Sequence, residues 1–264
     1  MQNEIKLVKV TLYCTIESYF KRVIVKISIL IVAISAVVLA KPICNFSTEN
    51  KIIECLKRNY SRTNELGYRQ ARSIMFTSLD NEGGKVQLVY SGFWYKTDRI
   101  PNHTIVNTEH IWPQSRFGRN HIKTDLHHMY PTYNRINGQR ANYPFAEIPD
   151  NLTELWLIKN NKGYKKKPNK TKIDNYSEYY RNSFEPREAH KGAVARSMFY
   201  IHALYDHSSS NSKWFYNQLE TLKKWNKRYP ITEKEIQRNK RIKRVQGNYN
   251  PFIIDQSLVY RLYK

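Results

Sequence analysis

Cysteine is scarce in this chain, with three in 264 residues. Cys14 lies in an N-terminal segment with leader character, which leaves Cys44 and Cys55. That excludes a multiply cross-linked scaffold. It leaves one disulfide closing a short loop if the protein is exported, or two free thiols in a reducing compartment. The apolar run at residues 27–40 is only 14 residues long, short of the about 20 that span a bilayer. Acidic residues are few: 22 against 44 Lys and Arg, a formal net charge of +22. There is no His-Glu-x-x-His pair, no Gly-rich phosphate loop and no Gly-x-Ser-x-Gly elbow, which sets aside zinc proteases, phosphate-loop enzymes and elbow-type serine hydrolases. Without an internal repeat or a Gly/Ser linker, one mixed domain is the simplest organisation.

What is present begins with a targeting segment over residues 1–40. Lys21, Arg22 and Lys26 precede the apolar run, and Val38 and Ala40 suit a signal-peptidase site after Ala40. An uncleaved membrane anchor is the alternative. Residues 41–264 keep 39 basic and 20 acidic residues, a net +19. Such a bias implies an anionic partner, nucleic acid or a membrane surface, unless it serves solubility alone. Aromatics at 13%, including 20 tyrosines, argue for a packed fold, and tyrosine also suits a wet interface.

Apolar spacing predicts a helix over 47–60 through Ile52, Leu56 and Tyr60, and a short one over 68–76. A turn at 81–84 precedes a strand carrying Val86, Leu88 and Tyr90. A second strand over 105–111 ends before Pro113 and places Glu109 and His110 near its end. A short helix follows at 134–141, then a lysine-rich exposed loop over 158–172. Helices are expected at 189–204 and 214–225. Thr232 and Glu235 form a capping box, and the segment from Gly247 to Pro251 closes the helical part.

Glu109 and His110 pair a carboxylate with an imidazole, and Asn137 lies 27 residues after His110. A hard divalent ion takes carboxylate and amide oxygens and keeps several waters. A histidine, with a reference pKa near 6.5, can take the proton of an attacking water. Glu109 and Asn137 would then hold the metal, and His110 would act as the base. Arg116, Arg119 or Arg140 would meet the extra negative charge of the transition state. Together with the basic charge, this points to metal-assisted cleavage of a polyanion. Taken singly, a Glu-His pair is commonly structural and Asn137 reads equally as a turn residue. The His127-His128 pair lacks further zinc ligands nearby, and at least one of the two is expected to be a buried, hydrogen-bonded histidine. The competing readings are a noncatalytic nucleic-acid-binding protein with a decayed site and a membrane-acting toxin. The toxin reading lacks an amphipathic helix with a clean basic face.

The chain resembles the bacterial endonuclease I family of periplasmic and secreted nucleases, which carry a ββα-metal (His-Me finger) site. The resemblance covers about residues 50–255. It rests on six ordered blocks at 69–76, 107–115, 124–131, 137–145, 185–196 and 245–251. It implies an α+β fold, a single mixed domain over 41–264 with a ββα-metal motif and a helix-rich C-terminal part. It also implies Mg2+-dependent cleavage of DNA, and often RNA, with little sequence preference and 5′-phosphate ends; Mn2+ or Ca2+ are alternative ions. His110 falls on the family's general base, and Glu109 and Asn137 on its metal ligands. A monomer without a protein partner is expected. Arg140, Lys191 and Arg196, basic residues within the matched blocks, are assigned to nucleic-acid contacts. Some members carry a cysteine-rich insertion after the Phe-Gly matching Phe117-Gly118, and it supplies an arginine near the scissile phosphate. Only six residues separate Gly118 from Asp125 here, so Arg116 and Arg119 remain candidates by proximity alone.

Overall fold

In the computed structural model of this protein, residues 42–117, 120–158, 163–164 and 166–264 are described. The expected leader, Arg119 and part of the lysine-rich segment fall outside them. Helix α1 (Glu49–Tyr60) buries Ile52 and Leu56, as their four-residue spacing requires. Cys55 on this helix forms a disulfide with Cys44, with the Cα atoms 5.7 Å apart. Helix α2 (Tyr68–Ile74) runs into a single π-helical turn, Met75–Leu79.

Strands β1 (Asn81–Glu82), β2 (Lys85–Gln87) and β3 (Trp94–Lys96) form a small antiparallel sheet. The expected strand through Tyr90 stops at Gln87. Gly92, at φ +70°, closes a turn through its bond from N to the Leu88 carbonyl, and this turn tucks Val89 and Tyr90 into the core. Strand β4 (Val106–His110) pairs antiparallel with β5 (Met129–Tyr133), after a four-residue helix α3 (Asn120–Lys123). Helix α4 (Asn134–Arg140) follows β5 with no intervening loop. This hairpin and helix are the ββα unit.

A second sheet was not legible in the sequence. It joins β6 (Leu155–Leu157), β7 (Gly163–Tyr164), β8 (Ser177–Tyr180) and β9 (Ser183–Glu185) in the order β7-β6-β8-β9. The lysine-rich stretch expected to be a loop therefore supplies an edge strand. Helix α5 (Glu188–Leu204) is buried along most of its length and centres the larger hydrophobic cluster, with Trp112, Phe145, Phe199 and Trp225. A smaller cluster around Met75, Phe76, Leu126 and Met129 lies against the β4–β5 hairpin. The helix expected over 214–225 is two, α6 (Ser209–Tyr216) and α7 (Leu219–Arg228). Gln218 breaks it, turning its carboxamide to the Phe145 amide and the Trp214 carbonyl. Helix α8 (Glu233–Gln246) starts at the expected Thr232–Glu235 capping box and ends at Gly247 with φ +87°. Two short helices, α9 (Pro251–Ile254) and α10 (Leu258–Leu262), finish the chain. The fold is α+β, as expected.

Candidate active site

In β4 the last two residues point to opposite faces, because side chains alternate along a strand. Glu109 is 2% exposed. Its Oε1 accepts a 2.7 Å hydrogen bond from the Tyr90 hydroxyl and lies 3.1 Å from Arg140 Nε. The Arg140 contact is close but misaligned, and Arg140 Nε makes no hydrogen bond. Burial pushes Glu109 up to about 7, against the pull of Arg140 and Tyr90. A carboxylate so placed gains from a further cation.

His110 is buried on the other face. Its Nε2 lies 2.9 Å from the Lys123 carbonyl oxygen. A carbonyl only accepts, so Nε2 carries the proton and Nδ1 is left as a lone pair. Gln114 Nε2 donates to Nδ1 at 3.0 Å. Burial, helped by His128, Lys123 and Arg72, lowers the imidazole to about 3, so it is neutral at physiological pH. Tyr68 stacks at 6.2 Å from the ring, and Arg72 Nε donates to Thr108 Oγ1, one pleat away.

Asn137 stands on α4, where Nδ2 donates to the Thr108 carbonyl at 3.3 Å. That bond uses the amide nitrogen and leaves Oδ1 as an acceptor without a hydrogen-bond partner among the described residues. Glu109, His110, Gln114 and Asn137 border one open cleft of about 400 Å3 together with Thr108 and Asn142. A carboxylate and an amide oxygen on one cleft fit a hard divalent ion that keeps most of its waters. The structure therefore gathers the three residues singled out by sequence, and adds Tyr90, Gln114, Arg72 and the Lys123 carbonyl. None of these four carried a sequence signal. Tyr90 sat in an apolar alternation that marked it only as core.

Arg116 does not border this cleft. Its guanidinium packs over the Trp214 ring at 4.5 Å. Arg119 lies outside the described residues.

The three expected nucleic-acid contacts are corrected. Arg140 is fully buried, donating to the carbonyls of Ile111, Ala141 and Tyr143 beside its contact with Glu109. Lys191 is fully buried with Nζ 2.5 Å from both Glu185 and Glu188 and 3.2 Å from Glu147. Those carboxylates are the one acidic group of metal-binding spacing among the described residues, and the ammonium already sits among them. Arg196 makes a bidentate pair with Glu235, 2.8 Å to each oxygen, which ties α5 to α8. Buried cations with carboxylate or carbonyl partners cannot also meet a phosphate backbone. His127 and His128, of which at least one was expected to be buried, are both buried, each bonded to a carbonyl, of Asn248 at 3.2 Å and Ile122 at 2.6 Å.

The sequence is similar to those of known proteins. A sequence model of Endonuclease I matches residues 47–257. An Endonuclease-1 of Buchnera aphidicola subsp. Acyrthosiphon pisum is 26% identical over 231 residues, 75% of this chain and 84% of the relative. An extracellular ribonuclease of Bacillus amyloliquefaciens is 34% identical over 163 residues, 56% of this chain and 50% of its own length. A periplasmic deoxyribonuclease of Aeromonas hydrophila is 27% identical over 140 residues, 52% of this chain and 50% of the relative. The chain thus spans about half the length of the last two. Since the family match runs through nearly all the described elements and includes Glu109, His110 and Asn137, the chain belongs to the Endonuclease I family.

Proposed function

We propose that this protein is a metal-dependent endonuclease that hydrolyses phosphodiester bonds with little regard to sequence. The observation that carries this reading is the His110 imidazole, with Nε2–H held by the Lys123 carbonyl and the Nδ1 lone pair left over, on the cleft that Glu109 and Asn137 also border. Glu109 and Asn137 Oδ1 would hold Mg2+. When bound, the ion neutralises nonbridging phosphate charge and stabilises the departing oxygen. Gln114 gives up His110 Nδ1 to an attacking water, and the water's proton passes to Nδ1. The resulting imidazolium is stabilised by its Nε2–H bond to the Lys123 carbonyl. Tyr90 and Arg140 anchor Oε1 of the Glu109 carboxylate throughout. A burial-depressed imidazole is a weak base by itself. Incoming phosphate charge beside it favours the protonated form and offsets that cost.

The net charge of +22 supports a polyanionic substrate bound through its backbone. Phosphate contacts carry no base information, so many sequences would be cut. One relative is named a ribonuclease and another a deoxyribonuclease. A site that reads phosphate rather than the 2′-hydroxyl would accept both DNA and RNA. Export fits the Cys44–Cys55 disulfide and the extracellular and periplasmic names of relatives. Among the described residues no helix is long and apolar enough to cross a membrane.

The test is incubation of the purified protein with supercoiled plasmid and with RNA, in Mg2+ and in EDTA, alongside His110→Ala. Degradation stopped by EDTA and by the substitution is expected. A folded His110→Ala protein that still cuts would remove His110 as the base. A folded wild type that binds DNA without cutting it would favour a noncatalytic binding role.

A further inference from the structure

Between the start of α5 and the start of α8 lies a second cavity, of about 260 Å3. It is slightly below the size at which sites for drug-sized ligands begin, roughly 300 Å3, and so suits a smaller molecule. Tyr130, Pro131 and Ala193 supply apolar lining, Arg187, His190, Lys234 and Arg238 basic groups, and Asp80 and Glu235 carboxylates already paired with Arg238 and Arg196. None of these residues borders the Glu109–His110 cleft.

Two of the basic groups have no anionic partner among the described residues. Arg187 Nε donates to the Val89 carbonyl at 2.9 Å. Its guanidinium packs against Gly92, where a built Cβ would come within 3.3 Å of it. No carboxylate pairs with it among the described residues. Burial alone accounts for the lowering of its pKa, with no acidic neighbour opposing. His190 Nε2 is buried without a hydrogen-bond partner among the described residues. The ring stands edge-on to Tyr130 at 5.1 Å. The cations acting on His190 are Arg187, Arg238, Lys234 and Arg196, and the carboxylates on the same cavity are Asp80 and Glu235. Arg238 is paired with Asp80, Arg196 with Glu235, and Lys234 with Glu82 at the surface. Arg187 is left as the uncompensated cation. A largely buried cation and a buried imidazole nitrogen on one cavity share the same deficit, which an anionic acceptor would meet.

We propose that this cavity binds a small organic anion, a phosphate monoester or carboxylate on a compact apolar body. Arg187 meets the anionic group and His190 Nε2–H donates to it. The Tyr130 ring, Pro131 and Ala193 hold the body. The site is separate from the cleft, so occupancy does not depend on cleavage there.

Calorimetric titration of the full-length protein in EDTA tests this, with phenyl phosphate, benzoate and inorganic phosphate as probes. Saturable 1:1 binding of phenyl phosphate or benzoate, tighter than that of inorganic phosphate, is expected. Arg187→Gln should weaken it about tenfold or more, the worth of a charged hydrogen bond. Ala193→Leu fills the cavity without touching its charge, and should do the same if Arg187→Gln does not fold. His110→Ala should leave binding unchanged. No saturable binding of either organic probe to folded protein overturns the site. So does binding that survives Arg187→Gln and Ala193→Leu but is lost in His110→Ala, because the anion would then lie in the cleft. Equal affinity for inorganic phosphate overturns the role of the apolar lining.

Discussion

Replacing Lys191 with methionine keeps the unbranched stem and removes one charge from a buried site. Its ammonium is fully enclosed, 2.5 Å from Glu185 and Glu188 and 3.2 Å from Glu147. The three carboxylates do not weigh equally. Glu147 has a side chain 48% exposed and Glu188 25%, so water screens them, whereas Glu185 is 7% exposed. The cost is therefore chiefly that of leaving the Glu185 charge buried without its partner, about 3–5 kcal/mol. Burial already pushes Glu185 up to about 7, with Lys191 holding it down. Without Lys191 it rises further. A carboxyl whose folded pKa exceeds its unfolded value favours the fold below the unfolded value, 4.5 here, and penalises it as pH climbs through the folded value. The deficit of Lys191→Met against wild type should thus be largest at pH 8 and smallest at pH 5. Urea unfolding at both pH values measures it, with the m-value checking that the transition stays two-state. DNA binding should keep its salt dependence, since Lys191 touches no phosphate. Unchanged stability at both pH values, with a salt slope reduced by about 1, would refute the argument and return Lys191 to the nucleic-acid interface.

Asn137→Ala removes a neutral oxygen from the cleft and should raise the Mg2+ concentration needed for half-maximal cleavage, while folding is retained; an unchanged Mg2+ titration would exclude it as a ligand. His127 and His128 are held near 4 by burial. Their ring proton resonances should therefore stay flat from pH 8 to 5.5, and midpoints near 6.5 would contradict their burial. Because these folded values lie below the unfolded 6.5, each contributes stability above pH 6.5 that is lost as pH falls toward 4. Gly247 has φ +87°, and a side chain there would collide with Thr63. Gly247→Ala should cost more than the about 1–2 kcal/mol of a left-handed alanine, read as a lower urea midpoint; a change within ~0.5 kcal/mol would contradict that geometry.

Much of the frame was legible along the chain, because it rests on local rules. The capping box at Thr232, the helix stop at Gly247 and the four-residue spacing of Ile52 and Leu56 each act within a turn or two of backbone. The strand ending in Glu109-His110 and the helix bearing Asn137 were likewise readable from alternation and turn residues. The β6–β9 sheet was not, since its strands are two to four residues long and become strands only by pairing with one another.

Residue chemistry and order along the chain determined the candidate ion ligands and the base. The tertiary structure alone decided which cations are free to act. Arg140, Lys191 and Arg196 look in sequence like any surface arginine or lysine. Burial spends each of them on a carboxylate or carbonyl, while Arg187 has the Val89 carbonyl and no carboxylate among the described residues. The physical reason is that a charge in water needs no particular neighbour, and a buried one does. Which neighbour it finds depends on segments far apart in the chain. Glu235 lies 39 residues from Arg196, and Glu109 lies 31 residues before Arg140.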